Sequence, residues 1–214
     1  MRRRYGGISA GTVCMAALEE LRAAAREALL SERFLHTLGT EREAWTLALR
    51  YNACVEDARG AALLHDLTKH LNVREQLKIC ERHGIILRPW EKEIPSLLHG
   101  ITAAARAAVE FGLSGEAVSA IRWHTTGRAG MTVLEKILYI ADMTEPFRHP
   151  SSGLARLRTQ AYENLDAAFL CALRETLCRL RGKGLAIGPD TLEAYENQMR
   201  IEAMQNCHRN RGVT

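Results

Sequence analysis

The 214-residue chain predicts an all-α fold, and three observations carry that expectation. Apolar residues recur at helical spacing through most of its length. No run of alternating β-branched residues marks a strand. Three words, Thr40-x-x-Glu43, Thr132-x-x-Glu135 and Asp190-x-x-Glu193, have the form of capping boxes that open helices.

Taken in order, the spacing predicts helices at roughly 14–30, 32–38, 41–56, 57–69, 73–83, 95–111, 115–125, 132–144, 154–181 and 190–205. Ser114 followed by Glu116 is a weaker start signal. Gly39, Gly84, Gly112 and Gly127 stand where helices are expected to end. Pro89, Pro95, Pro146, Pro150 and Pro189 punctuate the loops. The stretch 154–181 repeats Leu154, Leu157, Ala161, Leu165, Ala168, Ala172 and Leu180, which predicts one long amphipathic helix packed on the rest.

Hydrophobic residues at 47% and charged residues at 25% describe an ordinary globular protein. The net charge is +4, and part of it lies in Arg2, Arg3, Arg4, Arg209 and Arg211, read as frayed ends. No Lys/Arg stripe interleaves with aromatic residues, which argues against a nucleic-acid partner. The cysteines Cys14, Cys54, Cys80, Cys171, Cys178 and Cys207 form no C-x-x-C pair, so reduced thiols and a cytoplasmic location are expected and a thiolate zinc site is not. The start MRRRYGGISAGTVCMAALEE imitates a signal peptide, but glycines and Glu19-Glu20 dilute its apolar stretch. No segment reaches the length of a membrane span.

The chemistry begins at Ala61-Ala62-Leu63-Leu64-His65-Asp66-Leu67-Thr68-Lys69, where an apolar run ends in a titratable pair. A buried carboxylate needs a hydrogen-bonded partner or a metal ion. A second carboxylate, Asp142, follows the stripe Leu134, Ile137, Leu138 and Ala141, and falls on or beside that inward face. His36, His65, His99 and His124 each follow apolar residues in similar helical contexts. Imidazole nitrogens with carboxylate oxygens suit iron, manganese, zinc and similar ions. His83-Gly84 reads instead as a helix C-terminus, and His70, His149 and His208 as loop or tail residues.

The order His36, His65-Asp66, Asp142 resembles the signature of the HD-domain metal-dependent phosphohydrolases, an all-helical superfamily. His36-Thr37-Leu38-Gly39, Leu98-His99-Gly100, Ile121-Arg122-Trp123-His124-Thr125-Thr126-Gly127 and Ala141-Asp142-Met143-Thr144-Glu145-Pro146-Phe147-Arg148 narrow the likeness. Together with the His65-Asp66 word they resemble the YqeK-type HD hydrolases, which cleave dinucleoside tetraphosphates symmetrically. The match runs from about Phe34 to Arg148. Thr40 departs from the aliphatic residue common at that position.

The resemblance implies an HD-domain helical bundle, with residues 1–30 an N-terminal extension and first helix, 31–150 the phosphohydrolase core, and 151–214 C-terminal helices completing the same domain. It implies two divalent ions held by His36, His65, Asp66, His99, His124 and Asp142, with Asp66 bridging them. Iron is the usual metal, and manganese and cobalt accept the same set. The substrate would be diadenosine tetraphosphate, cut to two ADP by a hydroxide that the two ions activate. Asp66 and Lys69 are the catalytic candidates. Lys69, Thr125, Thr126, Gly127, Arg128 and Arg148 are candidates for holding the phosphates. Two other readings keep the fold: a nucleotide or guanosine-polyphosphate phosphohydrolase, and a nucleotide-binding sensor without turnover. The long C-terminal helices are compatible with a homodimer or with packing inside one chain.

Overall fold

Helix formation here is driven by apolar faces that meet in one main core, with a second small cluster of Cys80, Leu87, Leu98 and Ile101 beside it. A computed structural model describes residues 15–149 and 152–211. Among them are eleven α-helices and a short 3-10 turn, with no strand. The helices are α1 (Met15–Ala28), α2 (Ser31–Arg50), α3 (Val55–Leu64), α4 (Val73–Arg82), α5 (Pro89–Glu93), α6 (Leu98–Glu110), α7 (Gly115–Trp123), α8 (Val133–Thr144), α9 (Ser152–Glu163), α10 (Leu165–Gly182) and α11 (Pro189–Arg211). Arg2, Arg3 and Arg4, Cys14 and Pro150 lie outside the described residues.

The centre is α3, whose Ala58, Gly60, Ala61, Ala62, Leu63 and Leu64 are all buried. Its small residues let α2, α7, α8 and α1 pack around it. The stripe Leu134, Ile137, Leu138 and Ala141 of α8 is buried between α2, α7 and α10. Phe169 of α10 is 1% exposed and stacks edge-on against Tyr139, with ring centroids 5.2 Å apart. Among the described residues no helix is long and apolar enough to cross a membrane.

Two of the expected helix starts form as read. Thr132 and Glu135 close a reciprocal capping box on α8, and Ser114 accepts from Ala117 N on α7. Asp190-x-x-Glu193 is not a box: Asp190 takes both guanidinium nitrogens of Arg88 from the far side of the chain. Thr40-x-x-Glu43 is not one either. The two short helices expected at 32–38 and 41–56 are one helix, α2, with Gly39 in its interior. A Cβ built at Gly39 would collide with Glu145 Oε2 and come within 2.8 Å of Phe147, so the glycine serves a chain crossing and not a helix end.

The expected helix 154–181 is broken. Asn164 leaves the helical region with φ −152° and ψ 107°, and its side chain accepts from Ala167 N to start α10. The expected helix 57–69 stops at Leu64, and residues 65–70 continue as tight turns. Arg209 and Arg211 fall within α11, as does His208.

Candidate metal centre

Five elements each deliver one or two polar side chains to one buried point. His36 comes from the second turn of α2, His65 and Asp66 from the end of α3, His99 from the first turn of α6, His124 from the end of α7 and Asp142 from the last turn of α8. His65, Asp66, His99 and His124 are 4% exposed or less, and His36 is 9% exposed.

One device orients three of the rings. At a helix end the preceding carbonyls lack intrahelical partners. Nδ1 of His65, His99 and His124 lies 2.7 Å from the carbonyl oxygens of Ala62, Ser96 and Ile121, three residues earlier in each case. A carbonyl only accepts, so Nδ1 carries the proton and Nε2 keeps a bare lone pair. His36 Nδ1 instead faces Glu145 Oε1 at 3.2 Å. Holding the far ring nitrogen in this way is how proteins fix a metal-binding imidazole.

The four Nε2 atoms converge on the two carboxylates. His36 Nε2 is 3.0 Å from Asp142 Oδ1, and His65 Nε2 is 3.4 Å from Asp66 Oδ2. On the other side, Asp66 Oδ1 is 3.3 Å from His99 Nε2 and 3.8 Å from His124 Nε2. Yet His36 Nε2, His65 Nε2 and Asp66 Oδ1 are buried with no hydrogen-bond partner. Orphaned acceptors of this kind are costly unless a cation joins them.

The donor atoms form overlapping sets within 4.8 Å of one another: His36, His65 and Asp66; His65, His124 and Asp142; Asp66, His99 and His124. The donor set fits a divalent transition metal, with nitrogen and carboxylate oxygen and no thiolate.

Electrostatics points the same way. Burial drives the His99 imidazole down to about 3, with His124 and Lys69 adding to it. Burial likewise drives His124 down to about 4, helped by His65. Both rings are therefore neutral ligands at neutral pH. Burial also works against charge on His65 and on the two aspartates. For His65 the adjacent Asp66 outweighs it and raises the imidazole. Asp66 is held well below the carboxylate range by His65, Lys69 and His99, and Asp142 by His36, His65 and Arg148.

The centre opens into a cleft of about 420 Å³. Lys69, Thr125 and Arg148, three of the candidates named from the sequence for holding phosphates, line it. Lys69 Nζ lies 2.9 Å from His99 Nε2, and Thr125 Oγ1 lies 3.1 Å from His124 Nε2. Lys69 reaches there from a turn and not from a helix face. Arg148 donates from Nε to the Asp142 carbonyl at 2.8 Å and from Nη2 to its Oδ1 at 3.1 Å.

Thr126, Gly127 and Arg128 are placed elsewhere. Thr126 is buried and donates to the Gly127 carbonyl. Gly127, at φ 68°, packs against Ala194, Met131 and Phe169. Arg128 is bound through two nitrogens to Glu135 at the start of α8.

Arg33, Tyr139, Thr176 and Arg179 also line the cleft and were not singled out from the sequence. Arg33 donates to Asp66 Oδ2 at 3.0 Å. Its position three residues before His36 was a readable signal, because i and i+3 share a helix face. Arg179 carried none, since only the packing of α10 on α8 brings it to the site.

A helical bundle that gathers histidines and aspartates at one buried cleft defines an HD-type metal hydrolase. The HD domain family model matches residues 33–146. The chain is 34% identical to the symmetrical bis(5'-nucleosyl)-tetraphosphatase of Bacillus subtilis, over 83% of this chain and 95% of that protein. It is 36% identical to the protein of the same name from Halalkalibacterium halodurans, over 81% and 92%. A crystal structure from Clostridium acetobutylicum, described as a "predicted HD superfamily hydrolase involved in NAD metabolism", superposes with TM-score 0.81 at 34% identity. That superposition covers 85% of this chain and 96% of the other. The chain belongs to the HD domain family, and it is a metal-dependent phosphohydrolase of that family.

Proposed function

We propose that this protein cleaves diadenosine tetraphosphate symmetrically into two molecules of ADP, using two divalent ions. One observation carries the reading: the two oxygens of Asp66 face different histidines, Oδ2 toward His65 and Oδ1 toward His99 and His124. A carboxylate so divided suits a bridge between two ions. His36, His65 and Asp142 would complete one side, and His99 and His124 the other. Iron is the first candidate, with manganese and cobalt compatible. The names of the Bacillus subtilis and Halalkalibacterium halodurans relatives support the substrate.

Such ions, when bound, supply a strong nucleophile from water at neutral pH and Lewis-acid charge at the phosphate. The chain's own residues do the positioning. Lys69 and Arg148 neutralise non-bridging oxygens of the attacked phosphate, with Arg33 and Arg179 along the rest of the chain of phosphates. Thr125 donates its hydroxyl to the same group. The oxygen of water bonds to one of the two central phosphorus atoms, and the bond from that phosphorus to the oxygen bridging it to the other breaks. The bridging oxygen leaves as the terminal oxygen of the second ADP, and the proton of the water passes to solvent.

The test is one preparation with two readouts, on protein purified without chelator or affinity-column metal. About two metals per chain with ADP as the sole nucleotide product is expected, and His65→Ala should lose both. AMP with ATP would overturn the symmetric cut. Metal without turnover would overturn the substrate.

A further inference from the structure

His36 differs from the other three rings in where it stands. His65 and His124 close helices and His99 follows a 3-10 turn, so each finds a carbonyl three residues back that helix hydrogen bonding leaves accessible. His36 lies inside α2, where the preceding carbonyls belong to the helix ladder. Its Nδ1 therefore needs an acceptor from another element, and the acceptor present is Glu145 Oε1 at 3.2 Å.

We infer that Glu145 is a positioning residue whose carboxylate fixes the tautomer and direction of His36, leaving Nε2 bare for a metal ion. The inference rests on His36 being a ligand, as proposed above. Both oxygens of Glu145 are committed. Oε1 accepts from His36, and Oε2 accepts from Phe147 N at 2.7 Å, which folds the chain back over α2. The residue is 2% exposed.

Its backbone is held from the other side. Arg158 of α9 donates to the carbonyls of Thr144 and Glu145 at 2.8 and 2.6 Å. Gly39 makes the room, because any Cβ there would strike the Glu145 carboxylate. Glycine inside a helix is unfavourable. Its presence opposite this carboxylate is accounted for by the close approach.

The chemistry makes Glu145→Gln a sharp probe. An amide offers one acceptor and one donor, while His36 Nδ1–H and Phe147 N–H both require acceptors. With the amide nitrogen toward His36, the ring must move its proton to Nε2 and lose its ligand lone pair. With it toward Phe147, the loop loses its tie. Gly39→Ala pushes the same carboxylate from the opposite side while keeping both partners.

The experiment uses chelator-stripped protein labelled with 15N-histidine, read by long-range proton–nitrogen spectra and then titrated with Mn2+. Wild type should show a proton on His36 Nδ1, toward Glu145, whatever Nε2 shares with Asp142 Oδ1 at 3.0 Å before the ion binds. Glu145→Gln should lose either that Nδ1 proton or the tie to Phe147, and in both cases bind Mn2+ about 10- to 100-fold more weakly, the range for partners of metal ligands. Gly39→Ala should move both readouts the same way with its helical circular dichroism retained. Wild-type Mn2+ affinity in Glu145→Gln, alongside loss of a Mn2+ in His36→Ala, overturns the role of Glu145 alone. Wild-type Mn2+ binding in His36→Ala overturns this inference and the ligand assignment beneath it.

Discussion

His99 Nε2 and His124 Nε2 face one another at 3.1 Å, each with its Nδ1 already donating to a main-chain carbonyl. Two lone pairs meet there with no proton between them, and a cation relieves the repulsion. Without metal, the pair sets an acid sensitivity. Burial first, then the charge of His124 and Lys69 on His99 and of His65 on His124, depresses the imidazoles to about 3 and about 4. The unfolded chain takes up protons near the ordinary value of about 6.5. Between those limits the unfolded state binds more protons, so stability falls as the pH drops. Burial alone would lower the His65 imidazole too, but Asp66 outweighs it and raises the group, so its contribution has the opposite sign and belongs to the high-pH end of the window. Urea denaturation of metal-free protein at several pH values from about 6.5 to 4 should lose up to ~1.4 kcal/mol per pH unit for each of the two rings. A flat profile would contradict the neutral, carbonyl-anchored tautomers.

Asp66 touches every part of the centre, so Asp66→Asn should be the most damaging isosteric change. The amide keeps the volume but brings a donor to His65 or to His99, whose Nε2 atoms have lone pairs to offer a cation. Turnover of diadenosine tetraphosphate should fall by more than about 100-fold, the upper range even for residues that only support a ligand. Bound metal per chain should fall with it. Full metal content with full turnover would remove Asp66 from the site.

Arg179 separates binding of the phosphates from binding of the ions. It lines the cleft from α10. A charge-assisted hydrogen bond contributes roughly 1.5–3 kcal/mol. Arg179→Ala should therefore raise KM by about 10- to 100-fold, with metal content unchanged. Arg148→Ala should differ, because Arg148 also holds Asp142. It should lower metal retention as well as substrate affinity.

The parts of the site legible in the sequence are those whose signal is local. His65-Asp66 after an apolar run, and Asp142 beside the stripe of α8, place themselves by periodicity. What stayed illegible depends on partners far along the chain. Gly39 and Thr40 imitate a helix end and a new start, but the glycine answers to Glu145, and Thr40 Oγ1 donates to the His36 carbonyl inside an unbroken helix. Asp190 imitates a cap and instead pairs with Arg88. Asn164 is a local cap signal masked by apolar spacing that runs straight through it. Arg179 could not be read at all, since its place in the cleft follows from α10 lying on α8.

The word Thr125-Thr126-Gly127 divides into one cleft residue and two structural ones, and substitutions can tell them apart. Thr125→Val removes a hydroxyl that lies 3.1 Å from His124 Nε2 and 3.3 Å from His99 Nε2, so it should lower turnover while the melting temperature holds. Thr126→Val removes a buried donor to the Gly127 carbonyl and should cost about 1 kcal/mol of stability. Gly127→Ala forces a side chain into φ 68° and brings its Cβ to 3.1 Å from Ala194 Cβ. The left-handed conformation alone costs roughly 1–2 kcal/mol for a residue with a Cβ. Thermal unfolding and steady-state kinetics on the three variants check this. Reduced stability at unchanged KM is expected for Thr126→Val and Gly127→Ala. A raised KM at unchanged stability in either would instead put that residue in contact with the phosphates.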